Sequence, residues 1–350
     1  MSTVKYQHYL ARHHMSWFAN SDGTSSFWSV LDGRLLDDVK LTEIGGQNHL
    51  YESDELPRNF VEKQILNKVE TDFFAARNRA ISDKAVRRSA DRQAVRRYVA
   101  AQFLRQGYLH KRLIQLEQDL LFIAKEMGVT RFWGAENVLP EGRRRRASSS
   151  LAKGLLELEE TASFLKKHVV IFVERAENDL LLPDRGLVQI YDANGKLRTD
   201  GLGSPSLEVL MPIAPNAALK LVRPGPKRKF PHRVRMSNEA YAEFMQNLGL
   251  NANSFITGTK DAIATAQLDD LLCFDPNIER WSKVKQIYKA GVLDDLVDAF
   301  WSSQVPYLSK ADIRNWFYKS KFVPAINKLF NPSRDPNAET IFLRLDERQH

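Results

Sequence analysis

One cysteine in 350 residues, Cys273, leaves the chain without an internal disulfide. Its neighbours in Leu-Leu-Cys-Phe are apolar, a setting for a buried, inert thiol rather than a nucleophile. Long apolar runs are missing too. The longest, over residues 168–173, has the length of a strand and falls far short of a membrane span. The opening residues Met1–Gln7 are polar and lack the apolar core of a secretory leader, so a cytoplasmic chain with no membrane partner is expected. Neither G-x-x-x-x-G-K-[ST], nor G-x-G-x-x-G, nor G-x-S-x-G occurs. That argues against nucleotide-driven motors, dinucleotide-binding oxidoreductases and hydrolases built on a nucleophile elbow, and no nucleotide or dinucleotide cofactor is expected. Negative charge is in deficit, with 43 Asp and Glu against 51 Lys and Arg and a formal net charge of +8. A basic excess favours anionic partners, nucleic acid first.

What is present is the composition of a globular chain, 43% hydrophobic and 27% charged. The most informative stretch is a helical run from Ala90 to Met127, in which Val95, Val99, Phe103, Leu113, Leu116, Leu120 and Ile123 form an apolar stripe, with Gly107 a place for it to kink or split. Gln102 and Arg105 interrupt it, three apart and therefore on one face. A second helix, Asn59 to Ala80, carries the stripe Val61, Ile65, Val69 and Phe73, with Glu62 and Glu70 on an adjoining face. If the two helices pair, Arg105 lies in an apolar seam with carboxylates within reach, as a buried charge requires.

Along the rest of the chain, Phe27–Leu31 and Arg34–Leu41 read as strands around the hairpin signal Asp32-Gly33. The stretch Pro140–Ser150, with Arg143, Arg144, Arg145 and Arg146, reads as a basic loop of low complexity before a helix at Leu151–Lys167. Strands follow at His168–Glu174, Val188–Tyr191, Glu208–Met211 and Leu219–Val222, with a tight turn at Asn194-Gly195. Pro224–Pro231, containing Lys227, Arg228 and Lys229, is a connecting loop, and Ser237 caps a helix through Gly249. Residues 268–330 are helical and dense in aromatics, and Ile341–Leu345 is a last strand. The expected class is α+β, helix-rich with a small, mostly antiparallel sheet. The expected organisation is one domain over 1–267 and a C-terminal extension over 268–350, packed on the helices of residues 59–126 because so short a helical segment buries little core alone.

The segment His8-Tyr9-Leu10-Ala11-Arg12-His13-His14-Met15-Ser16-Trp17-Phe18-Ala19 resembles the N-terminal signature of domain-of-unknown-function family 4238, of the form H-Y-V-P-R-x-Y-L-R-x-F-A. Glu62 and Glu70 resemble that family's acidic helix, Gln102-Phe103-Leu104-Arg105 its Q-x-x-R helix, and Leu182-Pro183-Asp184 followed by Leu207–Pro212 its S-D-x-P element and next strand. The resemblance spans about residues 5–260. Two departures stand out: Ala11 occupies a position usually held by proline, and Pro183 replaces the polar residue before the aspartate. The resemblance implies a bacterial origin and a set of site residues, and no activity.

Two function classes fit these residues. In the first, the chain is a metal-assisted nuclease or phosphodiesterase. His8 is its base or a ligand, Glu62, Glu70 and Asp184 hold Mg2+ or Mn2+, Gln102 and Arg105 complete the site, and Arg105 clamps phosphate. Arg143–Arg146 and Lys227–Lys229 would bind the nucleic-acid backbone. His13 and His14 are further metal-ligand candidates, though no zinc-type spacing is present. In the second class, the buried Glu, Gln and Arg residues are an internal ion-pair network in a non-catalytic sensor or interaction module. A protein partner would then dock on the aromatic region Trp281–Tyr318.

Overall fold

The computed structural model describes residues 6–20, 22–30, 33–106, 109–111, 113–114, 140–190, 202–225, 230–268 and 271. The chain divides into two compact units, residues 1–110 with 145–274, and residues 111–144 with 275–350. Most of the described residues belong to the first unit. The expected C-terminal helices and their aromatics, Cys273, the Asn194-Gly195 turn and the basic run Lys227, Arg228 and Lys229 lie outside the described residues, and so does the central run beyond Ile114.

The first unit is α+β, with three small sheets among its described residues. β1 (Tyr6–His8) pairs antiparallel with β4 (Gly46–Asn48). Four antiparallel strands run in the order β3 (Arg34–Lys40), β2 (Thr24–Ser29), β11 (Phe255–Gly258), β6 (Leu182–Pro183). Five strands form the largest sheet: β10 (Arg233–Arg235), β5 (Val169–Glu174), β9 (Ala217–Val222), β8 (Glu208–Ala214) and β7 (Val188–Gln189). Only β10 runs parallel to its neighbour. Continuous apolar runs such as Val170–Val173 are buried, as expected for strands covered on both faces. β8 continues past Pro212, where an expected strand end becomes a register shift instead. An irregular position tolerates a residue that cannot donate to the ladder.

The helices are α1 (Arg12–Met15) with a 3-10 turn at Ser16–Phe18, a π-helical turn at Val61–Leu66 continuing into α2 (Asn67–Asp83), α3 (Ser89–Leu104), α4 (Pro140–Leu156), α5 (Leu158–Ser163), α6 (Asn238–Asn251) and α7 (Lys260–Thr265). α2 and α3 pack on each other, joined through Lys84 in the left-handed region. On α3 one face is buried at the start, with Asp91, Ala94 and Val95, and from Tyr98 to Gln102 every residue is buried. None of the helices among the described residues is long and apolar enough to cross a membrane.

α3 ends at Leu104, where Arg105 leaves helical geometry at φ −107°, ψ 15°, so the expected run is interrupted just before Gly107. Residues 109–111 and 113–114 are helical again. One expectation changes: Pro140–Ser150 is the first part of α4 and no loop. Ala147, Leu151, Ala152 and Leu155 are buried at helical spacing, and arginine is a good helix former. Arg144 and Arg145 stay exposed on it.

Candidate functional site

Five of the six residues singled out as catalytic candidates gather where the end of α3 meets the π-helical turn and β1. Arg105 is the centre. It is 1% exposed, its Nε donates to Gln102 Oε1 and its Nη1 to Glu70 Oε1. The three-residue spacing seen in the sequence is what lets Gln102 reach it. The Tyr51 hydroxyl donates to the Arg105 carbonyl at 3.0 Å, taking the backbone acceptor that the end of the helix releases. The guanidinium carbon lies 5.3 Å from the centre of the Tyr98 ring. That ring is held in place by stacking on Phe73 of α2, at 3.8 Å and 7° between planes. Burial works against the arginine's charge, but Glu70 and the Tyr98 and Tyr51 hydroxyls outweigh it, so it stays ionised throughout.

Glu62 and His8 stand in the field of this guanidinium. Glu62 is carried by the π-helical turn, a distortion that re-aims side chains and often accompanies functional sites. Asn59, with φ +56°, enters that turn. Burial pushes the Glu62 carboxyl up to about 7, Arg105 pulling it down and Glu70 adding to the rise. Burial pulls His8 down to about 4, the Arg12 and Arg105 charges adding and a backbone hydrogen bond with Leu41 opposing, so its imidazole is neutral near pH 7. Three buried polar atoms of the cluster have no hydrogen-bond partner among the described residues: Arg105 Nη2, Glu62 Oε2 and His8 Nε2. Glu70 keeps 24% of its side chain exposed, so the cluster opens to solvent on that side.

Asp184 is not in the cluster. Its two carboxylate oxygens accept the backbone N–H groups of Asn253 at 2.9 Å and Ser254 at 3.1 Å, which fixes the approach to β11. Burial nevertheless pushes it up to about 6, with those hydrogen bonds and Arg185 opposing. Its link to the site is indirect: the turn from Pro183 to Gly186 presents the Arg185 carbonyl to Gln102 Nε2 at 3.4 Å. Glu62, Glu70 and Asp184 are therefore not gathered as a three-carboxylate ligand set. Among the described residues no group of three or more His, Cys, Asp or Glu is placed to hold a metal ion. His14 has both ring nitrogens engaged, Nδ1 with the Tyr98 hydroxyl at 2.9 Å and Nε2 with the Pro212 carbonyl at 2.7 Å, and it ties α1 to α3 and β8. His13 is exposed against Trp17 and Phe74.

Sequence reasoning missed Tyr98, Tyr51 and Arg12. Tyr98 was findable, since it precedes Arg105 by seven residues and so shares its face two turns earlier. Tyr51 arrives from a loop with no periodic signal. Arg12 lies in the signature segment but carries no spacing that ties it to Glu62.

None of the curated proteins and none of the solved structures compared matches the chain. The match of the family model described as "protein of unknown function (DUF4238)" runs over residues 6–262, from β1 into α7, and takes in every member of the Arg105 cluster; the chain belongs to that family.

Proposed function

We propose that the Arg105 cluster is an acid–base site acting on the phosphodiesters of nucleic acid. The observation that carries this reading is the set of three polar atoms without a partner among the described residues, Arg105 Nη2, Glu62 Oε2 and His8 Nε2, in one cluster of coupled charges. Buried polar groups are almost always paired, so a donor and two acceptors left over in one place point to a polar ligand that completes them. Arg105 supplies a fixed cation for phosphoryl oxygens, already oriented by Glu70 and Gln102. Glu62, about half ionised near neutrality, accepts the proton of an attacking water and returns it to the departing oxygen. His8 Nε2 orients that water. The basic excess of the whole chain favours an anionic polymer as substrate.

The test is cleavage of DNA and RNA oligonucleotides by the full chain, without metal and with Mg2+ or Mn2+. Cleavage is expected, and Glu62→Gln should lower it by about 10²–10⁴-fold, the range for losing a general base, while the variant stays folded. Arg105→Ala cannot decide the matter, because it destabilises the protein on either reading. A folded wild-type chain that cleaves nothing under any of these conditions overturns the proposal. It would leave the cluster as an ion-pair network in a non-catalytic module, the reading favoured by the saturation of Arg105 Nη1, Nε and carbonyl oxygen.

A further inference from the structure

Beside the cluster lies a surface depression of about 520 Å³ lined by Arg12, His13, Ser16, Lys40 and Thr42, with Gly23 and Leu41. It is shallow and open to solvent. Three of its lining side chains are basic and none is a carboxylate. Neither Arg12 nor Lys40 has an ion-pair partner among the described residues, and both are exposed. The nearby Asp22 carboxylate is turned onto its own loop, accepting from the Thr24 N–H at 2.9 Å and the Thr24 hydroxyl at 2.7 Å.

The depression adjoins the Arg105 cluster along the chain: Arg12, in its lining, follows His8 by four residues. The Arg12 charge is felt at both His8 and Glu62. An anion seated in the depression therefore lies within the electrostatic reach of the proposed acid–base groups.

We infer that the depression is an anion-binding subsite in which Arg12 and Lys40 hold a phosphate group of the substrate, next to the one on which Glu62 and Arg105 act. The inference rests on the reading of the Arg105 cluster as a site of substrate chemistry, and its test separates the two. A phosphate seated between a guanidinium and an ammonium gains charge-assisted hydrogen bonds, with the Thr42 hydroxyl as a further donor at the rim. The Ser16 hydroxyl donates its proton to the His13 carbonyl at 2.8 Å and has none left for the anion. The group can come from a nucleic-acid backbone or from a small phosphorylated molecule.

The experiment titrates the full chain, by calorimetry at low salt, with inorganic phosphate and with a short single-stranded oligonucleotide. Arg12→Glu/Lys40→Glu should weaken both at least tenfold. Lys166→Glu/Lys167→Glu, an equal change of charge at two exposed lysines elsewhere, should change them less than twofold. Tighter binding of the oligonucleotide assigns the group to a nucleic-acid backbone, and tighter binding of phosphate to a small molecule; either supports the subsite. Absent binding, or equal loss in both double variants, overturns it. Binding that depends on Arg12 and Lys40 in a chain that cleaves nothing keeps the subsite and removes the proposed activity. Cleavage with an unchanged KM in Arg12→Glu/Lys40→Glu does the reverse.

Discussion

At the scale of single residues, Gln102 and Arg105 were legible because polar groups inside an apolar stripe must find partners once buried, here each other and, for Arg105, Glu70 on the opposite helix. Glu62 was legible as a carboxylate on an adjoining face but not as a perturbed one, since its burial depends on a helical distortion that leaves no mark in the spacing. Its raised pKa makes a stability prediction. The folded protein holds the Glu62 proton up to about pH 7, whereas the unfolded chain releases it near 4.5. Folding is therefore favoured by protonation, and this contribution, fully present below pH 4.5, is lost as pH rises to about 7. Glu62→Gln, which cannot ionise, should match the wild type in thermal stability near pH 4.5. It should become progressively the more stable of the two up to about pH 8, by an upper limit of about 3 kcal/mol. Melting curves of both proteins at half-unit pH steps check this. A gap that stays flat across the range contradicts a buried, protonated Glu62.

At the scale of elements, the periodic strands and helices of the first unit were readable, and two kinds of feature were not. The run Arg143–Arg146 looked like a loop because four like charges and three serines mask the buried face formed by Ala147, Leu151 and Leu155 further along the same helix. β11 was silent because its four residues gain their strand character from β2 and β6, which lie far away in sequence. The turn from Pro183 to Gly186 belongs to this second kind. Gly186 has φ +71°, and a Cβ there would collide with Gln102 Nε2 and stand 2.8 Å from Leu10 Cδ1. A side chain at this position strains the backbone and also pushes Gln102 away from the Arg185 carbonyl and hence from Arg105. Gly186→Ala should cost about 1–3 kcal/mol of stability. If the cluster is catalytic, it should also lower turnover in the fraction that stays folded. Urea unfolding combined with the oligonucleotide assay measures both. A variant of wild-type stability would mean that the turn yields without disturbing Gln102.

At the scale of the whole molecule, net charge was fully legible and its placement was not. A formal charge of +8 says that anions are attracted, but not where. Two of the surfaces that carry exposed basic residues can be compared: the depression at Arg12 and Lys40, and Arg144 and Arg145 of α4. These should behave differently. Contacts to a phosphate backbone release counterions, so affinity for a single strand should fall with salt at a logarithmic slope of about −0.7 for each phosphate neutralised. Arg144→Glu/Arg145→Glu should therefore weaken oligonucleotide binding, flatten the salt slope by about one unit or more, and leave the affinity for inorganic phosphate unchanged. Arg12→Glu/Lys40→Glu should weaken both ligands. The two sets of titrations, run from about 50 to 200 mM salt, where several backbone contacts change affinity by orders of magnitude, tell a polymer-binding face from a subsite. An oligonucleotide affinity that does not respond to salt in the wild type would mean that the positive charge of this chain serves something other than a nucleic-acid backbone.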